Sequence, residues 1–491
     1  MSELKITNYN ESYIKCTSED LGLLQDLSDF FTFKVPGASF MPSVRAKRWD
    51  GQIRLYSKAT GKIYKGLLPY IQHFCENHSH TIILPKSLNA GGRVAREDFS
   101  KFVAKILMKS VKILIRDYQL DAFAHAINSK RCVLLSPTAS GKSLIIYCII
   151  RMMTTLNKRS LLIVPTTSLV EQMYKDFQDY GWEAEKEVQR KYYGYEIDDS
   201  KPVVISTWQS LATFDKKYFE QFDCVVGDEA HLYKSKELQK IMSACVNAKY
   251  RIGTTGTLDD SKVHKLVLEG LFGPVHSVTT TRELIDKKQL ADLKIQCVIL
   301  KYAKEECINV KRLNYQEEMD YIVTHQKRNN FIKNLAKKQT GNTLVLFQYV
   351  EKHGKFLHDL IGDTLDHQTR KLFFVYGGTD TKDRETIRSI TENENNAIIV
   401  ASYGTFSTGI NIRNLHNVIF ASPTKSKIRV LQSLGRGLRL GDSKTKATLY
   451  DIADDFSYKE RKNFTLNHFM ERINTYSEQE FDYELHHVDI T

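Results

Sequence analysis

Cys132-Val-Leu-Leu-Ser-Pro-Thr-Ala-Ser-Gly-Lys-Ser143 is the stretch from which the rest of the chain can be read. Val133 to Leu135 is a short apolar run and predicts a buried strand. It breaks at Ser136-Pro137, and Leu144-Ile-Ile-Tyr-Cys-Ile-Ile150 then begins a helix pattern. Strand, phosphate loop and helix in immediate succession give the short Gly-Lys-Ser signature its meaning. Backbone N–H groups of Thr138, Ala139, Ser140 and Gly141, together with the helix N-terminus, form a cradle for the phosphates of a nucleotide. Lys142 reaches the β- and γ-phosphates of ATP, and the Ser143 hydroxyl joins the shell of a Mg²⁺ ion. Ser136 stands where such loops usually carry their first glycine.

Outward from this loop, 491 residues with 42% hydrophobic composition have room for about three domains with cores of their own. Lysine and arginine number 70 against 58 acids, a net charge of +12, which favours a polyanionic partner. The eight cysteines are scattered, without a Cys-x-x-Cys pair, so neither a disulfide framework nor a zinc site is expected. No apolar run approaches 18 residues, and the N-terminus lacks a signal-peptide profile. The expectation is a soluble protein of a reducing compartment, the cytoplasm, with no membrane partner.

The basic excess is concentrated near the front of the chain. Between Lys34 and Lys65, 32 residues hold eight basic side chains, Arg45, Lys47, Arg48 and Arg54 among them, and one acid, Asp50. Trp49, Tyr56 and Tyr64 are interleaved. Cations for phosphates beside aromatics for bases make up a nucleic-acid face, whereas a solvated hairpin would have the same aromatics in its core. Phe30 to Val35 is expected as a strand, and residues 53–56 and 63–65 as a hairpin. This region, 1–95, is assigned as an N-terminal α+β DNA-binding domain, with Asn89-Ala-Gly-Gly-Arg93 as its linker.

Residues 100–285 read as a parallel α/β lobe. Arg116-Asp-Tyr-Gln119 precedes a helix that leads into the phosphate loop. The Gln119 amide has the donor and acceptor to pair with adenine, and Arg116 is placed to flank the base. Strands are expected at Ser160–Pro165 and Val203–Thr207, with Thr166 and Thr207 at strand ends, where α/β sheets bind ligands. Phe222-Asp-Cys-Val-Val-Gly-Asp-Glu-Ala-His231 delivers two adjacent acids from an apolar strand. Asp228 is assigned to Mg²⁺ and Glu229 to the attacking water, because two neighbouring carboxylates are unfavourable without a cation between them. Arg251-Ile-Gly-Thr-Thr-Gly-Thr257 supplies Thr255 and Thr257, hydroxyls that link His231 to the nucleic-acid face.

Arg116-x-Tyr-Gln119, Lys142, Asp228-Glu-Ala-His231 and Thr255-Gly-Thr257 resemble, in order, the motifs of superfamily-two helicases and translocases. With the basic front end, the chain is similar to the recombination helicases of T-even phages. The resemblance implies two tandem RecA-like lobes, the second over residues 286–460. It places Thr405 and Thr408 on the nucleic-acid backbone and Gly409 toward the nucleotide. Gln432-Ser-Leu-Gly-Arg436-Gly-Leu-Arg439 resembles the family's arginine-finger motif, and a helix puts Arg436 and Arg439 on one face. The second lobe has no phosphate loop, so a single ATP is expected in a cleft completed by these arginines. Residues 461–491 are left as a C-terminal tail.

The implied activity is ATP-driven unwinding or branch migration of forks, Holliday junctions, D-loops and RNA–DNA R-loops, in recombination, repair and replication. Movement is implied to be 3′ to 5′, in the bacterial host cytoplasm if the chain is phage-encoded, alongside other recombination or replication proteins. An RNA helicase, or an ATP-switched DNA-binding regulator that displaces no strand, would carry the same motifs.

Overall fold

The computed structural model describes residues 2–35, 37–88, 93–108, 110, 113–192, 200–258, 261–409, 412, 414–426, 430, 433, 435, 438 and 446–490. Its strands are, in chain order, β1 (Glu3–Asn8), β2 (Tyr13–Thr17), β3 (Thr32–Lys34), β4 (Gln52–Arg54), β5 (Tyr56–Ser57), β6 (Lys62–Tyr64) and β7 (Thr81–Ile83). The next seven are β8 (Arg131–Leu135), β9 (Ser160–Val164), β10 (Val188–Lys191), β11 (Val203–Thr207), β12 (Cys224–Asp228), β13 (Tyr250–Thr255) and β14 (Val275–Ser277). Then follow β15 (Asp292–Lys301), β16 (Thr343–Phe347), β17 (Lys371–Val375), β18 (Ala397–Ser402), β19 (Asn417–Phe420), β20 (Lys446–Asp455) and β21 (Tyr483–Asp489).

Two compact units result: residues 1–136 with 141–278, and residues 279–491 with 137–140. In the first, β8 to β14 form a seven-stranded parallel sheet in the order β10-β11-β9-β12-β13-β8-β14. In the second, β15 to β21 form another, ordered β17-β18-β16-β19-β20-β15-β21 and also parallel. This is the expected pair of RecA-like lobes. Parallel sheets are covered on both faces, so their strands read as unbroken apolar runs. In β9 the period-two pleat sends Leu161 and Ile163 to one core and Leu162 and Val164 to the other. In β16, Leu344 and Leu346 face one core, Val345 and Phe347 the other.

The N-terminal region is α+β, with a sheet ordered β5-β6-β2-β1-β7 and the helix Leu21–Phe30. It shares a hydrophobic core with the first lobe. Leu4, Ile14 and Phe74 belong to the same cluster as Leu266 and Phe272 of that lobe. The strand expected over Phe30 to Val35 is shorter, Thr32–Lys34, because Phe30 closes the preceding helix. The hairpin partner of β6 is Tyr56–Ser57, while Gln52–Arg54 pairs with β3 instead. Residues 461–491, set apart by sequence as a tail, form the helix Phe464–Glu478 and β21, which pairs with β15 in the second sheet.

Gly66 marks the contact of the N-terminal region with the first lobe. A Cβ there would lie 2.0 Å from the Glu269 carbonyl oxygen and 2.7 Å from that of Gly270. Backbone cannot yield as a side-chain tip can, so overpacking at this point costs about 1–3 kcal/mol or more. Gly66→Ala is therefore expected to lower the melting temperature by several degrees. Differential scanning calorimetry checks this, and an unchanged transition would show that the contact does not hold the two parts together.

Candidate functional site

In a parallel sheet every strand delivers its last residue to the same edge. In the first lobe that edge collects the loop after β8, Thr166 beyond β9, Thr207 at the end of β11, Asp228 at the end of β12 and Thr255 at the end of β13. β13 lies between β12 and β8. Two strand spacings, roughly 10 Å, thus separate the carboxylates from the phosphate-loop strand, enough for phosphates and a cation.

The phosphate loop is held by its own polar groups. Ser136 N–H donates to the Thr255 carbonyl at 2.9 Å, which ties the loop's first residue to β13. Ser140 Oγ donates to the Pro137 carbonyl at 2.7 Å, and Lys142 Nζ to the Ser136 carbonyl at 3.2 Å. Ala139 and Gly141 have φ of 68° and 79°, the turn that aims successive N–H groups inward. Lys142 and Ser143 then open the helix Lys142–Thr155, whose apolar residues are buried against the sheet. Ser143 Oγ lies 2.7 Å from the Tyr180 hydroxyl, a partner that sequence reasoning missed because it is 37 residues away.

Gln119 is 4% exposed. Its Oε1 accepts from Arg116 N–H at 2.9 Å, while Arg116 donates through its guanidinium to the Tyr118 hydroxyl, also at 2.9 Å. A Cβ at residue 141 would stand 2.3 Å from Gln119 Nε2, so only glycine lets the amide pack on the loop. The glutamine therefore links the Arg116 turn to the phosphate cradle.

Asp228 is 6% exposed and accepts from Thr254 Oγ1 at 2.7 Å. Burial, then the neighbouring Glu229 charge, pushes its carboxyl up to about 6, against the opposing pull of Lys142. Glu229 turns away through a left-handed backbone, φ 50° and ψ 54°, which separates the two acids. Its Oε2 lies 3.3 Å from His231 Nδ1, is shielded from solvent, and has no hydrogen-bond partner among the described residues. Thr255 Oγ1 donates to the Thr257 carbonyl at 2.8 Å, so at 3.0 Å it accepts from His231 Nδ1. That geometry assigns the proton to Nδ1. A buried carboxylate with a raised pKa beside an orphaned carboxylate oxygen suits a divalent cation, for which Asp228 and the Ser143 hydroxyl are the candidate ligands.

The remaining expected residues divide clearly. Thr166 and Thr207 cap the helices that follow them, accepting from Leu169 N–H and Ser210 N–H. Thr405 is buried and accepts from Ser402 Oγ at 2.8 Å. Gln432, Arg436 and Arg439 lie outside the described residues, as do the side chain of Thr408 and the site at Gly409. Arg45, Lys47 and Arg48 are exposed and follow one another on a short turn, whereas Arg54 pairs with Asp50. Trp49 donates from Nε1 to the Gln52 carbonyl at 2.8 Å. Tyr56 and Tyr64 are corrected from base-stacking candidates to packing residues. Tyr56 is 2% exposed, and Tyr64 stacks on Tyr13 and presses on Gly270. Among the described residues no helix is long and apolar enough to cross a membrane.

Three family descriptions match successive parts of the chain: "DNA helicase UvsW, N-terminal" over residues 2–85, "Type III restriction enzyme, res subunit" over 112–260, and "Helicase conserved C-terminal domain" over 326–441. The chain is 34% identical to the ATP-dependent DNA helicase UvsW of Enterobacteria phage T4, covering 99% of this chain and 100% of that protein. It is 25% identical to the DNA 3'-5' translocase XPB2 of Sulfurisphaera tokodaii, over 70% of this chain and 82% of the relative. The crystal structure of T4 UvsW superposes over 100% of both chains with a TM-score of 0.53 and 33% identity.

The raised carboxyl of Asp228 yields a stability prediction. A carboxylate whose folded pKa is raised costs stability above that pKa, and the cost fades as pH falls through about 6 toward the unfolded value. Asp228→Asn keeps an acceptor for Thr254 and removes the charge. It is expected to raise the metal-free melting temperature by a few degrees at pH 8, with a smaller gain at pH 5. A variant less stable than the parent at pH 8 would contradict this assignment.

Proposed function

The chain belongs to the UvsW family of helicases, and on that premise we propose that it is an ATP-dependent DNA helicase or translocase acting on branched DNA. Forks, Holliday junctions, D-loops and RNA–DNA R-loops are the proposed substrates. The observation that carries the proposal is the polar connection at the edge of the first sheet. Asp228 is held by Thr254, Glu229 lies against His231, and His231 is joined through Thr255 to Thr257. Such an arrangement links phosphate chemistry to a loop of hydroxyls suited to a nucleic-acid backbone.

ATP phosphates would replace the Ser136 carbonyl as the partner of Lys142 and take up the N–H groups of residues 138–143. Mg²⁺, held by Ser143 and Asp228, would supply positive charge to the β- and γ-phosphates. Glu229 accepts a proton from the attacking water. The water oxygen bonds to the γ-phosphorus as the bond to the β–γ bridging oxygen breaks. Arg436 and Arg439 are the proposed arginine fingers, and Thr166, Thr207, Thr405 and Thr408 the proposed contacts to the nucleic-acid strand. Arg45, Lys47, Arg48 and Trp49 are proposed to engage the duplex.

Steady-state ATPase at one salt concentration, with fork DNA, single-stranded DNA and structured RNA as competing activators, tests the substrate class. Activation by RNA alone would overturn the DNA assignment. Lys142→Ala is expected to lose fork unwinding, and Arg436→Ala to lower kcat by about 10³-fold or more. Replacing Arg45, Lys47 and Arg48 by glutamate is expected to weaken DNA binding while basal ATPase survives. In a salt titration of affinity the slope should flatten by up to roughly 3, one unit for each lost phosphate contact.

A further inference from the structure

The amino ends of the first lobe's strands, at the edge opposite the phosphate loop, hold a second concentration of charge. Arg131 opens β8 with Lys130 just before it, and Lys249 immediately precedes β13. Lys65 approaches from the N-terminal region, and Arg93 from the segment before the lobe. Together these five cations and a single carboxylate, Glu11, line a cavity of about 500 Å³. Four intervals along β8, about 13 Å, separate its Arg131 end from its Leu135 end, where the phosphate loop begins.

The cavity is built and not merely exposed. Val94 N–H donates to Asn128 Oδ1 at 2.9 Å, and Asn128 Nδ2 donates back to the Val94 carbonyl at 3.1 Å, which fixes the segment carrying Arg93. Arg131 and Lys65 have side chains only 12% exposed, and both lean on Glu11 Oε2, at 3.2 and 2.8 Å. Arg131 also donates to the Glu11 carbonyl through the same nitrogen, while its other terminal nitrogen, Nη1, is buried without a hydrogen-bond partner among the described residues. Arg251, the register neighbour of Arg131 on β13, is fully buried and spends its guanidinium on the carbonyls of Met242, Cys245 and Ala248 and the Ser12 hydroxyl.

One carboxylate does not balance this site. Burial and the charge of Arg251 lower Arg131 to about 9, and burial lowers Lys65 despite Glu11. His125, also in the lining, is lowered by burial, His276 and Arg93. The C-terminal end of the helix Asp117–Ser129 contributes only about half a negative charge. An entering anion would relieve this crowding and give Arg131 Nη1 an acceptor. The volume exceeds that of one phosphate and falls in the range of sites for nucleotide-sized ligands.

We propose that this cavity is a second phosphate-binding site, taking a ligand with two or three linked phosphates at the edge of the first sheet remote from the phosphate loop. The phosphates come from either a free nucleotide or polyphosphate, or from successive positions of a DNA backbone. The inference goes beyond the helicase reading and does not depend on it.

The probe is inorganic tripolyphosphate, titrated calorimetrically into full-length Lys142→Ala protein so that the phosphate loop is disabled. The comparison protein carries Lys130→Asn and Lys249→Gln in addition. Asn suits residue 130, whose φ is 63°, and Lys249 is exposed, so both changes spare the fold. In an otherwise unaltered chain the pair should leave basal ATPase intact. Tripolyphosphate is expected to bind with one-to-one stoichiometry and to weaken at least tenfold in the comparison protein. Absence of binding, or an affinity the lysine changes do not move, overturns the proposal. Adding a short DNA duplex separates the sources. Displacement of tripolyphosphate identifies backbone phosphates, and simultaneous binding identifies a free polyphosphate compound.

Discussion

Burying the Asp228 carboxylate at the end of a central strand, directly beside the half-buried Glu229, is the constraint around which the first lobe is arranged. Asp228 closes β12 and Glu229 follows it, and nothing in the apolar run before them can stabilise charge. A charge out of water is held only by hydrogen bonds or an opposite charge. The fold supplies a hydroxyl from Thr254 on the adjoining strand, the field of Lys142 nearby, and a left-handed turn that separates the two acids. These measures are incomplete, since the Asp228 carboxyl stays raised. On the proposed function that residual cost is what a bound cation would relieve, and a better-satisfied pair would bind one less strongly.

On the proposed function, coupling of the nucleotide site to a nucleic-acid strand would run through the same edge. His231 has Glu229 on one side and the Thr255 hydroxyl on the other, and the Nδ1 proton can serve only one of them well. With Thr255 already donating to the Thr257 carbonyl, the hydrogen bond goes to Thr255. A change in charge at Glu229 competes for that proton. Two short contacts, His231 to Thr255 and Thr255 to Thr257, join that proton to the loop after β13. Both the acid and the threonines sit on neighbouring strand ends, so the parallel sheet itself sets the distance.

Much of this was legible in the sequence because it is local. β8, β9, β11, β12, β16 and β18 are continuous apolar runs, and the phosphate loop and the acid pair stand at their ends. Lys142 and Asp228 stand 86 positions apart, with β9, β10 and β11 between them. What could not be read depends on partners distant in sequence. Tyr56 and Tyr64 look like a nucleic-acid surface beside so many cations, yet their rings are committed to Cys16, Tyr13 and Gly270. The N-terminal region has the composition of a separate domain, but its apolar faces are finished by Leu266 and Phe272, some 200 residues later. Tyr180 had no signal, because an aromatic in a helix pattern reads as core.

The acids of Asp451-Ile-Ala-Asp-Asp455 show how the second lobe meets a comparable electrostatic problem with a different outcome. Along β20 the pleat sends Asp451 and Asp454 to opposite faces of the sheet. On one face Asp451 takes Arg472 at 2.8 Å and the Tyr476 hydroxyl at 2.8 Å, both from the helix Phe464–Glu478. On the other, Asp454 takes Arg328 at 2.7 Å from the helix Gln326–Lys338, together with the Tyr302 hydroxyl. All four charged side chains are essentially inaccessible. Removing one partner of such a pair leaves a bare charge and costs about 3–5 kcal/mol, whereas an apolar pair of the same shape would be tolerated. The pairs therefore specify which helix covers which face. In β12 Asp228 is held by a hydroxyl and its carboxyl stays raised, whereas in β20 each acid is matched by an arginine from the helix that covers its face, with Asp454 Oδ2 and the terminal nitrogens of Arg328 still lacking a hydrogen-bond partner among the described residues.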